Sequence, residues 1–483
     1  MSEPTIVMIH SAMQRGELTC RQLVETCLNR IEAYDQYGPK LNAVLRVNPR
    51  ALQLATERDE ALCRQGMIGP LHGIPLLLKD NIETADMKTT AGSVCLKNNQ
   101  PAQDAFLVRK LKDAGAIILA KVNLHEFAVW GETVSSLGGQ TLNPYDLSRT
   151  PGGSSGGTGA GVAAGFGVAG VGTDTVNSVR SPASANNLVG IRPTTGLLSR
   201  SGLVPYSDTQ DTAGPIARNV SDAALLLEVM AGYDPADGKT AYSVGQPTTG
   251  RYLEAATNPQ PAGRRIGILR SLFGAGEAAI EVNAAIEGCI DALRTVGAEF
   301  IELTEKFDAG ALVRDVSVHL HELERDLDLY LRRLGPEAPV HSLRDVLASG
   351  RFHPGIGDNL RQAVALESQG LDYYRRLQEQ ERLRGTLLKI MADYRLDAFV
   401  FPHQQGLVVK VGQPQIGRNG VLASVTGFPS ITVPAGFSSV SATAPQGVPI
   451  GIEFIGRPWT ESCLLEIAAA LERVRPMRLP PQL

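Results

Sequence analysis

The sequence has few of the features that mark a secreted or modular protein. Its 483 residues include six cysteines, which lie far apart and form no C-x-x-C pair. In a chain of this length such cysteines are typical of thiols in a reducing compartment. The amino-terminal segment has no apolar run of the kind that forms a signal peptide. We therefore expect a cytoplasmic protein.

An excess of charge of one sign is also missing. The chain has 46 Lys and Arg residues against 50 Asp and Glu residues, for a formal net charge of −4. The basic residues are scattered, whereas nucleic-acid binding needs a basic patch. The uncharged segment 156–172 is mostly glycine and alanine and is too short to span a bilayer comfortably. We expect neither a nucleic-acid partner nor a membrane, and nothing in the sequence points to an oligomeric state.

No Pro/Gly/Ser-rich linker divides the chain, and the apolar fraction of 43% is ordinary for a globular protein. One large α/β unit covering residues 1–483 therefore fits better than a string of modules. Within it, residues 306–394 are charged and have a helical pattern. This region is either a helical insertion over the substrate pocket or a solvated helical face.

Residues 151–195 are the most distinctive stretch. The stretch opens with Gly152-Gly153-Ser154-Ser155-Gly156-Gly157 and reaches a polar turn, Thr173-Asp174-Thr175-Val176-Asn177-Ser178. Gly165–Gly170 also fits G-x-G-x-x-G, the dinucleotide fingerprint, which should follow a strand and open a helix. Here an alanine/glycine segment precedes the motif and Gly172-Thr173-Asp174 follows it, so nucleotide binding is disfavoured.

A lysine follows a short apolar run earlier in the chain. Leu76-Leu77-Leu78 reads as a buried strand that ends in Lys79. An exposed lysine at a strand end is the ordinary interpretation. A desolvated lysine, however, has a lowered pKa, because burial penalises the charged form, and it can then act as a base near neutrality.

These motifs together resemble the amidase signature family. The resemblance extends from Gly69-Pro70-Leu71-His72-Gly73 and Lys79, through the glycine-serine stretch, Arg180 and Arg192-Pro193-Thr194, to Gly427-Phe428-Pro429 and Gly451-Ile452-Glu453. It covers nearly the whole chain. The resemblance implies a single α/β domain with a central mixed β-sheet flanked by helices. It also implies a hydrolase that uses no cofactor and no metal.

The resemblance also implies roles for individual residues. Ser178 would be the nucleophile, Ser154 a bridging serine held by a cis peptide bond, and Lys79 the base. The backbone N–H groups of Thr175, Val176, Asn177 and Ser178 would form the oxyanion hole, since successive amides in a tight loop make an anion-binding nest. Ser155, Asp174 and Arg180 would support the loop.

One departure from the family lies directly before Ser178. The family usually has Gly-Gly there, where this chain has Val176-Asn177. Valine tolerates positive φ badly. If position 176 needed positive φ, the hole would be strained. We favour the other account, in which the two side chains narrow the pocket.

Several histidines are candidates for chemistry. His125 titrates near neutrality when unperturbed, but a structural role beside a strand end is the better interpretation. His403 or Gln404 could face the leaving group, with a structural role again favoured. His319-x-His321 is a poor metal site, because i and i+2 do not share a helical face. We expect the pocket to be lined by residues 127–130, the helical insertion and residues 403–405.

The leading hypothesis is a hydrolase of the C–N bond in small amides, including aryl amides and carbamates, with esters as further substrates. The alternative is the glutamine-hydrolysing subunit of a tRNA-dependent amidotransferase, which works in a multi-subunit complex. A third interpretation is a binding protein that kept the fold and lost activity through the change at Val176-Asn177.

Overall fold

The computed structural model describes residues 3–246 and 251–483, and an eleven-stranded mixed β-sheet runs through it. The strands are β1 (Val44–Val47), β2 (Pro75–Lys79), β3 (Ile117–Val122), β6 (Ala169–Asp174), β7 (Val189–Arg192), β8 (Thr212–Ala217), β9 (Arg265–Ile268), β10 (Glu299–Glu302), β11 (Ala398–Pro402), β12 (Ser430–Phe437) and β13 (Pro449–Gly456). Their spatial order is β1-β3-β2-β6-β8-β7-β12-β13-β11-β9-β10. A separate hairpin consists of β4 (Val134–Ser135) and β5 (Gly139–Gln140).

Helices cover the sheet and fill the region between β10 and β11. The helices before that region are α1 (Ile6–Gln14), α2 (Cys20–Arg30), α3 (Ala51–Gln65), α4 (Phe106–Asp113), α5 (Gly156–Ala163), α6 (Arg180–Ala185), α7 (Val220–Met230), α8 (Tyr252–Thr257) and α9 (Ile280–Thr295). Then follow α10 (Ala309–Ala311), α11 (His319–Arg332), α12 (Leu343–Ser349), α13 (Gly357–Ala365), α14 (Leu371–Asp393), α15 (Val421–Thr426) and α16 (Glu461–Val474). The predicted α/β architecture, a mixed sheet flanked by helices, is confirmed. Among the described helices, none is both long and apolar enough to cross a membrane.

Strand β2 is apolar because the sheet buries it completely. Leu76, Leu77 and Leu78 are all 0% exposed, as expected for a parallel strand covered on both faces. The strand pairs in parallel with β6, in a register that sets Leu78 opposite Val171. Because the carboxyl ends of parallel neighbours meet at one edge, Lys79 lies beside the end of β6.

The small residues of α5 and β6 allow the serine loop and α5 to pack closely on the sheet. A Cβ at Gly172 would lie 2.6 Å from Ser155 Oγ, so only glycine lets this strand approach the serine loop so closely. The segment Gly165–Gly170 follows helix α5 and runs into the start of strand β6. This order is the reverse of the strand-to-helix order of a dinucleotide site, so the context that the fingerprint needs is absent.

The helices between β10 and β11 pack on the main body of the chain through a separate hydrophobic cluster. Leu323, Leu327 and Leu331 of α11 pack in it with Phe127 and Tyr206, which come from the main body of the chain. The cluster thereby fixes the start of α11 close to the carboxyl end of β6.

Candidate active site

The amine of Lys79 lies at the centre of a buried hydrogen-bond cluster. Nζ donates to Ser154 Oγ at 2.7 Å and to Thr173 Oγ1 at 2.8 Å. Asn81 Nδ2 also donates to Thr173 Oγ1, at 3.0 Å, which fixes that hydroxyl. Lys79 is 0% exposed. The structure thus brings the predicted base and the predicted bridging serine into direct contact.

Burial changes the acidity of this lysine. It lowers the pKa of Lys79 to about 7, although the carboxylates of Asp211 and Asp174 pull in the opposite direction. No carboxylate makes an ion pair with Nζ among the described residues, so desolvation dominates. An amine with such a pKa is largely neutral above pH 7 and can accept a proton.

Ser154 and Ser155 lie in a loop fixed by several contacts. The peptide bond between Gly153 and Ser154 is cis, as the resemblance implies. The carbonyl of Ser154 accepts the backbone N–H of His125 at 3.0 Å. Ser155 Oγ donates to the carbonyl of Thr173 and accepts its N–H, at 3.2 and 3.3 Å. Ser155 therefore ties the serine loop to β6.

Ser178 lies next to this loop and faces a cavity. The backbone N–H of Ser155 donates to the carbonyl of Ser178 at 3.2 Å, which holds the two loops side by side. Ser178 is 6% exposed and lines the cavity. No hydrogen bond joins Ser178 Oγ to Ser154 Oγ or to another described residue. Such hydroxyl contacts in enzymes without substrate are often long and tighten when substrate binds.

The turn between β6 and α6 presents unpaired donors to the same cavity. Thr175, Val176, Asn177 and Ser178 all line it. The backbone N–H groups of the last three donate no hydrogen bond to any described residue. Neither Val176 nor Asn177 has positive φ. Their side chains therefore narrow the cavity without backbone strain, as the favoured account predicts.

A buried charge network holds this turn in place. Arg180 and Arg192, both 0% exposed, bind the Asp174 carboxylate at 3.0 and 2.9 Å. Burial alone would raise the pKa of Asp174, but the two guanidinium groups hold it below its usual range. Arg180 Nη2 also donates to the carbonyl of Val176 at 2.8 Å, which fixes the turn. Glu453 in β13 completes the network with an ion pair to Arg180.

The cavity has a volume of about 270 Å³. Its lining residues come from five parts of the chain: Ala128, Trp130, Thr175, Val176, Asn177, Ser178, Tyr206, Ala309, Gly310, Val313, Arg314, His319, Gln415, Ile416, Gly417 and Arg418. We call residues 75–79, 151–155 and 169–180 the floor. We call Trp130 and residues 309–319 and 415–418 the wall. Arg314 and Arg418 are the charged lining residues, and no acidic residue of the described chain is among them.

The wall differs in part from the prediction. Residues 128 and 130 and the start of the helical region line the cavity, as expected, but residues 403–405 do not. Residues 415–418 take that place. The Arg418 guanidinium lies 4.7 Å from the centre of the Trp130 ring and 3.1 Å from Glu132. Apart from the glycine, this loop carries no pattern that would have marked it in the sequence.

Gln210 is another residue that sequence reasoning missed. It is 0% exposed, and its Nε2 donates to the carbonyl of Thr175 at 3.1 Å. Its Oε1 accepts from the backbone N–H of Val318 and from Ser317 Oγ, at 2.8 and 2.9 Å. Gln210 therefore joins the turn of the floor to the start of α11. In the sequence, the available signal was a glutamine shortly before an apolar strand.

The histidines named from the sequence are buried, and none of them makes a hydrogen bond to Ser178. Burial lowers the pKa of His125 to about 3, and its Nδ1 accepts the N–H of Glu132 at 3.0 Å. His403 Nδ1 bonds Glu453 Oε2 at 2.6 Å, and Gln404 Nε2 donates to Ser181 Oγ at 3.3 Å. His319 lines the wall, and burial lowers its pKa to about 4. Among the described residues, no group of three His, Cys, Asp or Glu side chains is placed to hold a metal ion.

Comparison with known proteins gives matches along nearly the whole chain. A family model described as Amidase matches residues 22–465. The chain is 36% identical to a probable amidase of Arabidopsis thaliana, with 100% of this chain and 92% of the relative covered. It is 35% identical to a Glutamyl-tRNA(Gln) amidotransferase subunit of Chloroflexus aggregans, with 97% and 96% covered. The structure of native peptide amidase from Stenotrophomonas maltophilia matches with a TM-score of 0.89 and 37% identity, covering 100% of this chain and 99% of that one.

Proposed function

The chain belongs to the amidase family and is an amide carbon–nitrogen hydrolase, and from this premise we propose that it cleaves small, uncharged aryl amides and carbamates through an acyl-enzyme. Esters are further substrates in this proposal, because a better leaving group asks less of the general acid. The proposed catalytic residues are Lys79, Ser154 and Ser178.

The chemistry of the cavity supports an uncharged substrate. A free amino acid carries an ammonium and a carboxylate, and both need buried partners of opposite charge. The charged lining residues are Arg314 and Arg418, and Arg418 already pairs with Glu132. Trp130, Val176, Val313 and Ile416 offer apolar contact instead. An aryl group fits such a surface because aromatic rings bury large apolar area.

In the proposed reaction, Ser178 Oγ attacks the substrate carbonyl and passes its proton through Ser154 to neutral Lys79. The unpaired N–H groups of the turn donate hydrogen bonds to the oxyanion, and losing one such donor typically costs about 3–4 kcal/mol of transition-state stabilisation. The proton then returns through Ser154 to the leaving nitrogen, because an unprotonated amine leaves poorly. Water, deprotonated by the same relay, releases the acyl group from Ser178.

A single observation carries this mechanism. The Lys79 amine lies 2.7 Å from Ser154 Oγ, and burial lowers its pKa to about 7. Serine alone is a weak nucleophile and needs an adjacent base. A lysine with that pKa, in contact with a hydroxyl beside the cavity, supplies one.

We propose the same single-domain organisation that the sequence suggests. Residues 1–483 form one amidase domain, and residues 306–394 are a helical insertion whose beginning covers the substrate cavity. The described cysteines are all unpaired, which supports a cytoplasmic, reducing location.

The test is an assay of purified protein with p-nitroacetanilide and with an N-(4-nitrophenyl) carbamate. Both substrates should release p-nitroaniline, and Ser178→Ala should abolish the release. Ser439→Ala makes the same change at an exposed position and should retain wild-type rates. Full turnover by Ser178→Ala would contradict the mechanism.

A second candidate function is glutamine hydrolysis within a tRNA-dependent amidotransferase. The 35% identity to the Chloroflexus aggregans protein over 97% of this chain favours it. Under this alternative, purified protein would hydrolyse glutamine only after amidotransferase partner subunits are added. Anilide or carbamate hydrolysis by the isolated chain would favour the stand-alone enzyme.

A further inference from the structure

Asn177 carries a buried donor that has no partner. The residue is 2% exposed and lines the cavity directly beside Ser178. Its Nδ2 is sealed from solvent and makes no hydrogen bond to a described residue. An unpaired buried amide donor is costly, typically about 1–3 kcal/mol. Its position therefore calls for an acceptor.

His403, which directly follows β11, also has a buried ring nitrogen without a partner in the described part of the chain. Its Nδ1 bonds Glu453 Oε2 at 2.6 Å, while its Nε2 is buried without a partner among the described residues. A carboxylate only accepts, so the ring donates from Nδ1. In a neutral imidazole the other nitrogen is then an acceptor. Glu453 is itself held by Ser430 Oγ at 2.6 Å, which fixes the orientation of the ring.

The two unpaired groups belong to side chains that both lie close to Gly420. A Cβ at Gly420 would lie 2.8 Å from Asn177 Cβ and 3.0 Å from His403 Cε1. Any side chain at position 420 would therefore crowd both residues. One unpaired donor and one unpaired acceptor thus belong to residues that both lie close to the same glycine, and a hydrogen bond between them would fix which end of the Asn177 amide faces the cavity.

We propose that Asn177 is a specificity-determining residue whose Oδ1 accepts a hydrogen bond from the N–H of the scissile amide or carbamate. His403, held by Glu453, keeps Nδ2 turned away from the cavity and Oδ1 turned towards it. The assignment rests on the proposed function. It concerns the side chain of Asn177 and is separate from the role of the backbone N–H in the oxyanion hole.

The contact has a chemical purpose. The leaving nitrogen must direct its lone pair towards the proton that returns through Ser154. An acceptor that holds the N–H on the other side turns the lone pair in that direction. An ester or an N-methylated amide has no such proton and gains nothing from Asn177. A site built to bind an N–H discriminates against analogues that lack it.

The test compares three matched substrates: p-nitroacetanilide, N-methyl-p-nitroacetanilide and p-nitrophenyl acetate. The variants are Asn177→Gly and Asn177→Leu, which both remove the acceptor and keep the backbone N–H. Val313→Ala is the control, because it removes volume from the same cavity without removing a polar atom.

In both Asn177 variants we expect kcat/KM for the anilide to fall about tenfold more than kcat/KM for the ester or for the N-methyl amide, the scale of one hydrogen bond. The control should change all three substrates by similar factors. Equal losses for all three substrates in the Asn177 variants would mean a structural role and overturn the assignment alone. No turnover of any substrate by the wild type would overturn the proposed function, and the assignment with it.

Discussion

The floor and the wall of the cavity are built in different ways. Lys79, Ser154 and Arg180 of the floor are all 0% exposed and are fixed by short hydrogen bonds and buried ion pairs. In the wall, Trp130 is 38% exposed and Ile416 is 76% exposed. The floor lies on neighbouring strands of the sheet, whereas most of the wall comes from a helical region and a loop that follow much later in the chain.

This difference separates the chemistry from the choice of substrate. A proton relay works only within hydrogen-bond distance, so its members need a rigid support such as a parallel strand pair. Binding pockets tolerate variation in loops. We therefore expect loss of Lys79 or Arg180 from the floor to remove activity or stability, and changes in the wall to alter the choice of substrate while leaving stability largely intact.

The largest expected effect comes from Lys79→Met, which replaces the buried amine with an apolar chain of similar length. Loss of the base should lower kcat/KM for p-nitroacetanilide by roughly 10⁴-fold, the upper range for general base catalysis. Lys97→Met makes the same change at an exposed position and should leave kcat/KM unchanged. Wild-type turnover by Lys79→Met would remove the basis for treating the floor as catalytic.

The next effect is on stability and compares an arginine of the floor with an arginine of the wall. Arg180→Met leaves Asp174 and Glu453 buried without one of their cations, and should lower the free energy of unfolding by about 3–5 kcal/mol. The Arg314 side chain is 67% exposed, so Arg314→Met should change the free energy of unfolding by less than about 0.5 kcal/mol. Denaturant titration measures the free energy of unfolding of both variants. Similar losses of stability in the two would show that the floor is not more important for stability than the wall.

The smallest expected effect is the pH dependence of the wild-type enzyme. Neutral Lys79 is the active form, and its pKa is about 7. The value of kcat/KM should therefore rise about tenfold per pH unit below that pKa and level off above it. Circular dichroism over the same range controls for unfolding. A flat profile between about pH 5.5 and 8 would argue against a titrating amine in the floor.

Much of the floor could be predicted before the structure was known. The apolar run before Lys79 predicts a buried strand, and β2 confirms it. The resemblance to the amidase signature family is confirmed by the match over residues 22–465. The catalytic roles of Lys79, Ser154 and Ser178 stay predictions, and the 2.7 Å contact between the first two supports them. Glu453 inside an apolar strand was a visible signal of a buried charge network.

The wall could be predicted only in part. The helical region 306–394 was expected to help line the pocket, but residues 415–418 carry no periodic pattern, and residues 403–405 were expected in their place. Asn177 and His403, which we propose to form a hydrogen bond, lie more than two hundred residues apart in the sequence. Such pairs depend on how β11 and the turn after β6 meet across the sheet, which no local pattern encodes.

The sequence by itself determined the α/β class, the buried strand that ends in Lys79 and the small residues that let the serine loop approach β6. These features are local, because they depend on apolar runs and on side-chain size along one segment. Only the tertiary structure decided which groups share the cavity and how far burial lowers the pKa of Lys79. The physical reason is that desolvation and hydrogen-bond geometry are set by neighbours from distant segments, and these exist only once the sheet has assembled.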